Sequence, residues 1–135
     1  MAPVPAHPDA PGAAPVGVLA QQGDIAEHCA ALGACGLPTK EVRTARDLEG
    51  LAGLVLPGGE SSTMLRLLGV EGLEEPLRAW RRRAEEECVP VLGTCAGLIL
   101  LAEGVHSPSG KATQRSFGML PVDVDRNGYG RQVHS

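Results

Sequence analysis

The chain has 135 residues, 43% of them apolar and 21% charged, with a formal net charge of -4. That balance suits a single soluble globular domain and gives no electrostatic reason to expect nucleic acid or an anionic membrane as a partner. The longest apolar run, Val89 to Ala102, is broken by Pro90, Gly93 and Gly97 and is too short to span a bilayer.

Trp80, Phe117 and Tyr129 are the only aromatic residues, so Ala, Leu, Val and Gly must build the core, as in closely packed α/β layers. Cys29, Cys35, Cys88 and Cys95 have no zinc-type spacing and no partnered histidines, so neither a metal nor a cofactor is expected. Met1 to Pro15 is rich in proline and alanine and reads as a disordered leader, with His7 idle in it. It lacks the basic start and unbroken apolar centre of a secretory signal, which points to reduced thiols and a cytoplasmic location.

Order is expected to begin at Val16 to Ala20, a short apolar strand. Gln21 to Asp24 forms a turn, and Asp24 is placed to cap a helix from Ile25 to about Leu32, with Glu27 and His28 on its surface. Gly33 and Gly36 end that helix. Thr39 to Val42 reads as a second strand, Arg46 to Glu49 as a helical turn, and Leu51 to Leu56 as a third strand. Pro57-Gly58-Gly59-Glu60-Ser61-Ser62-Thr63 follows, and its two glycines allow close backbone approach to a ligand. Ser61 or Ser62 is placed to cap a helix through Met64 to Leu68. The N–H groups of such a loop suit an oxyanion or a carboxylate. No Gly-Lys-Ser/Thr follows, so it is not a phosphate loop.

Leu73, Leu77, Trp80 and Ala84 recur at helical spacing within Leu73 to Glu87. The neighbouring blocks Arg81 to Arg83 and Glu85 to Glu87 can pair one turn apart on a solvated face. Val89 to Leu92 reads as a fourth strand, and the next residues carry the strongest signal. Gly93-x-Cys95-x-Gly97 is the thiol form of a strand-to-helix corner whose flanking residues must be small because the nucleophile sits on a strained turn. The helix that follows, expected to run to about Glu103, turns its positive end towards the cysteine and favours the thiolate. Gly104 to Thr113 reads as a polar loop containing an exposed His106, Met119 to Val124 as a strand, and Arg126 to Gln132 as a turn-rich segment. Strands alternating with helices give a parallel, doubly wound sheet with helices on both faces, whose sites lie beyond the strand C-termini. Gly58-Gly59 and Cys95 both follow strands directly and share that edge.

With these pieces in place, the sequence resembles the class I glutamine amidotransferase family, and within it the glutaminase subunits of pyridoxal 5′-phosphate synthases. The likeness rests on Gly17 to Gly23, Leu56 to Met64, Gly93 to Ala102 and Arg126 to Val133, in order and at comparable spacing. It implies a flavodoxin-like fold and hydrolysis of L-glutamine to glutamate and ammonia. The ammonia would pass to a (β/α)₈ synthase barrel subunit in a hetero-oligomer. It further implies Cys95 as the nucleophile that forms a glutamyl thioester. The N–H groups of Ala96 and Gly59 would be the oxyanion donors, and Gly58, Gly59, Glu60 and Arg126 would bind glutamine.

One departure stands out. The family completes its triad with a His-x-Glu pair downstream of the cysteine, whereas beyond Cys95 these residues hold only His106 and His134, neither followed by a glutamate two residues on. Residues 16–135 thus read as the N-terminal two-thirds of such a domain, without its last strands and helix, and inactive alone. Two alternatives stay open on the sequence: a non-catalytic subunit that docks on the synthase, and the product of a degraded gene.

Overall fold

The computed structural model of the chain describes residues 14–21, 25–59, 61–106 and 114–125. The expectations for Met1 to Ala13, Gln22 to Asp24, Glu60, Ser107 to Thr113 and Arg126 to Ser135 fall outside them, as does the cap expected of the Ser62 side chain. In chain order the elements are β1 (Val16–Leu19), α1 (Ile25–Ala34), β2 (Thr39–Val42), a 3₁₀ turn (Ala45–Leu48), β3 (Gly53–Leu56), α2 (Ser61–Val70), α3 (Glu74–Glu87), β4 (Val91–Gly93), α4 (Ala96–Leu101), β5 (Ala102–His106) and β6 (Leu120–Asp125).

Four strands form a parallel sheet in the order β2-β1-β3-β4. The central strand β3 is buried along its whole length, which explains its unbroken apolar sequence. β1 begins at Val16 as expected, and the Pro15 carbonyl just before it accepts a 2.8 Å hydrogen bond from the Ala52 N–H. The chain leaves β1 towards β2, then crosses back over β1 to β3 and on to β4. Right-handed crossovers therefore put α1 on one face and the 3₁₀ turn, α2 and α3 on the other. The contacts agree: α1 packs on β1 and β2, whereas α3 touches the 3₁₀ turn and α2 touches α3 and α4.

The core lies under α2 to α4, where Leu19, Leu54, Leu56, Met64, Leu68, Leu100 and Leu101 are fully or almost fully buried. Each such leucine contributes about 1.5–3 kcal/mol relative to exposure. Leu73, Leu77, Trp80 and Ala84 all face this core as the helical spacing predicts. The opposite face of α3 pairs its charges one turn apart, Arg81 with Glu85 at 3.0 Å and Arg83 with Glu87 at 2.8 Å.

Two expectations need correction. The helix after Cys95 ends at Leu101, and residues 104–106, expected in a polar loop, complete β5. Ala102 and Val105 are buried there, and β5 pairs in parallel with β6 across an irregularity between Ala102 and Gly104, forming a separate two-stranded sheet. Burial and strand pairing override the helix preference of Ala102 and Glu103. His106 is accordingly only partly exposed and lies 3.6 Å from Asp123. Secondly, Ser61 is the first residue of α2 rather than a cap before it, and the helix runs on past Leu68 to Val70. The Ser61 hydroxyl donates to Gln114 Oε1 at 3.3 Å, a tertiary contact that the capping expectation did not include.

Candidate active site at the Cys95 corner

Cys95 lies between β4 and α4 with φ 51° and ψ -113°. A side-chain-bearing residue there has a strained backbone, at a cost on the order of 1–3 kcal/mol, and persists only where its surroundings fix it. The surroundings do so. A Cβ on Gly93 would sit 2.7 Å from the Gly97 backbone, and one on Gly97 would run into the Leu56 carbonyl. Only two glycines let β3, β4 and α4 meet this closely. The corner is pinned further by three backbone hydrogen bonds: Thr94 N–H to Leu56 O at 3.1 Å, Gly97 N–H to Thr94 O at 2.9 Å, and Ile99 N–H to Cys95 O at 3.2 Å.

Strand register brings the second motif to the first. Leu56 of β3 pairs with Gly93 of β4, so two residues further on Gly58 stands opposite Cys95. A Cβ on Gly58 would lie 3.4 Å from Cys95 Cβ, so the loop backbone passes directly beside the thiol-bearing carbon. Gly59 is exposed at φ 148°, a conformation that favours glycine. Ala96 is the first residue of α4, where a backbone N–H has no helical acceptor one turn earlier. The structure thus brings together Cys95, Ala96, Gly58 and Gly59. Glu60 and Arg126 lie outside the described residues.

The same register, carried past β1, sets Gln21 beside Gly58, and the buried Gln21 side-chain amide has no hydrogen-bond partner among the described residues. On the other side of the corner, His28 Nε2 lies 3.3 Å from Thr94 Oγ1. His28 was expected on the surface of its helix; it is instead half-buried and bonded to the residue before the cysteine. Its position carried a signal, since the first turn of a helix after a parallel strand starts at the C-terminal sheet edge. A cavity of ≈ 670 Å³ lined by Glu74, Arg78, Glu103, Arg115 and Ser116, among others, includes none of the corner residues. Burial would raise the Glu74 pKa, but hydrogen bonds from Arg115 and Arg78 outweigh it and hold the carboxyl below its ordinary range. The four cysteines are all free thiols, and Cys95 is exposed. Among the described residues no group of three His, Cys, Asp or Glu is arranged to hold a metal, and no helix is long and apolar enough to cross a membrane.

A strained cysteine corner beside a glycine loop on one sheet edge fits the family suggested by the motifs. The family model of the SNO glutamine amidotransferases matches residues 18–135. The chain belongs to this family. Among curated relatives it is 50% identical over 120 residues to the "Pyridoxal 5'-phosphate synthase subunit PdxT" of Thermus thermophilus, covering 89% of this chain and 60% of that protein. Proteins of the same name from Solibacter usitatus and a Parafrankia species are 48% and 52% identical, with 58% and 56% of their lengths covered. A solved structure described as "Crystal structure of glutamine amidotransferase" superposes with a TM-score of 0.70 at 45% identity, over 87% of this chain and 59% of that one. The chain therefore spans a little under two-thirds of the length of the relatives it matches.

Proposed function

We propose that this chain carries the nucleophile half of a glutaminase that serves a pyridoxal 5′-phosphate synthase. The observation that supports this best is the strained Cys95 corner with Gly58 beside it. In this reading the Cys95 thiolate attacks the side-chain amide carbon of L-glutamine. The tetrahedral oxyanion is held by the N–H groups of Ala96 and Gly59, each worth on the order of 10²–10³ in rate where such donors have been removed. The amide nitrogen takes a proton and leaves as ammonia, a glutamyl thioester remains, and water cleaves it to glutamate and the free thiol. Gly58, Gly59, Glu60 and Arg126 bind glutamine, with Arg126 and the loop amides on its charged end. No metal or cofactor takes part.

The ammonia goes to a synthase barrel subunit in a hetero-oligomer, in line with the name carried by the relatives. The proton-transferring His-x-Glu pair of the family is not among these residues, so the chain on its own is proposed to acylate without turning over. The test is mass spectrometry of the chain treated with 6-diazo-5-oxo-L-norleucine, a glutamine analogue with a γ-side electrophile, alongside an ammonia-release assay on glutamine. Selective labelling of Cys95, lost in Cys95→Ser, with no steady ammonia release is the expected result. Steady glutamine turnover by the 135-residue chain would refute the claim that its base lies elsewhere. Failure of the analogue to label Cys95 would refute the glutamine assignment.

A further inference from the structure

Thr94 uses every hydrogen-bonding group it has. Its N–H donates to Leu56 O at the end of β3, its carbonyl accepts from Gly97 N–H in the first turn of α4, and its hydroxyl meets His28 Nε2 at 3.3 Å. The first two bonds are local to the glycine corner. The third is different in kind, because it spans 66 positions of sequence and comes from α1, the helix on the opposite face from α2 and α3. It ties that face to the corner. The pair needs one proton between two heteroatoms, so either the threonine O–H donates to a neutral imidazole or Nε2–H donates to the hydroxyl. In both forms the half-buried ring holds Thr94 in place immediately before a residue whose φ of 51° has to be imposed from outside.

We propose that His28 is a positioning residue for Cys95. Acting through Thr94, it keeps the corner in the geometry that aims Sγ beyond the sheet edge, without itself touching substrate. The inference rests on Cys95 being the reactive thiol, and it deepens the glutaminase reading by naming what holds the nucleophile. Removing the imidazole leaves the Thr94 hydroxyl without its tie and lets the corner populate relaxed conformers. The aligned fraction falls by about three- to tenfold, the range set by one net hydrogen bond.

The experiment uses the chain as it is, with modification of the Cys95 peptide followed by mass spectrometry so that Cys29, Cys35 and Cys88 do not interfere. Two probes are used: iodoacetamide, from which Sγ displaces iodide to form a thioether, and 6-diazo-5-oxo-L-norleucine, from which it expels N₂. His28→Ala and Thr94→Val are each expected to slow the maximal labelling rate about three- to tenfold while half-saturation by the norleucine reagent stays put. The double variant should be no slower than either single one, and His28→Gln, which keeps a donor and an acceptor, should recover most of the rate. Should His28→Ala melt below the assay temperature, Thr94→Val and His28→Gln give the same reading, since neither leaves a cavity. Equal labelling of parent and variants by both probes would overturn the proposal, as would a double variant whose losses multiply. If the norleucine reagent fails on the parent while iodoacetamide still separates the variants, the glutamine reading falls and the role of His28 stands.

Discussion

Replacing Cys95 by glycine should make the protein more stable while removing the proposed nucleophile. At φ 51° and ψ -113° the Cβ of Cys95 is held against its own backbone, a strain on the order of 1–3 kcal/mol. Glycine relieves it, at a cost of about 0.4–1 kcal/mol for the greater freedom of the unfolded chain. The side chain is exposed, so little packing is lost. The net gain is about 0.5–2 kcal/mol. Alanine is the control, because it removes the thiol but keeps the Cβ and hence the strain. In urea, with a slope of roughly 1–3 kcal/mol per molar, a gain of about 1 kcal/mol raises the midpoint by roughly 0.3–1 M. The order of midpoints should be Cys95→Gly above Cys95→Ala, with the parent close to the alanine variant. A glycine variant no more stable than the alanine variant would show that the corner is not strained, and the physical case for a stored nucleophile geometry would go with it.

Other substitutions probe the same architecture. Gly97→Ala puts a methyl 2.6 Å from the Leu56 carbonyl carbon and against its oxygen, neither of which can swing away, so it should lose about 1–3 kcal/mol or more in thermal or urea unfolding. An unchanged melt would mean that β3 and α4 are further apart than described. Gly33→Ala is the counter-case: it lies in the last turns of α1 with open space around its Cβ, and should gain about 0.5–1 kcal/mol. Glu74→Gln removes the carboxylate held by Arg115 at 2.9 Å and Arg78 at 3.2 Å, and should lose roughly 0.5–1 kcal/mol at neutral pH. Because the folded pKa of Glu74 is depressed, its contribution is complete above the unfolded value of about 4.3 and fades as pH falls through the lower folded value. The gap between parent and Glu74→Gln stabilities should therefore narrow as pH falls below the unfolded value, and a constant gap would contradict the ion-pair account.

The parts of the fold legible in the sequence are those whose cause is local. The spacing of Leu73, Leu77, Trp80 and Ala84 identifies the buried face of α3, and the glycines around Cys95 identify the corner, because both reflect constraints acting within one turn of the chain. Strand β5 was hidden because its reason lies elsewhere: Gly104 and His106 look like loop residues until β6, with Asp123 and Val124, is laid alongside. His28 was hidden for the same reason. α1 buries none of its residues fully, so its pattern gives no hint that one side chain turns in to meet Thr94. The pairing of Gly58 with Cys95 stands between these cases, since the sequence places both on one edge and only the register between β3 and β4 sets them opposite each other.

No residue separates α4 from β5, since Leu101 ends one and Ala102 begins the other. Phe117, Gly118 and Met119, leading into β6, donate their backbone N–H groups to Leu100, Ala102 and Leu101 in turn, at 2.7–2.9 Å. The helix that follows Cys95 is therefore continuous with the second sheet and tied to it by three backbone hydrogen bonds. A displacement of β6 that keeps those three bonds is carried to the far end of α4, whose near end is the corner at Cys95.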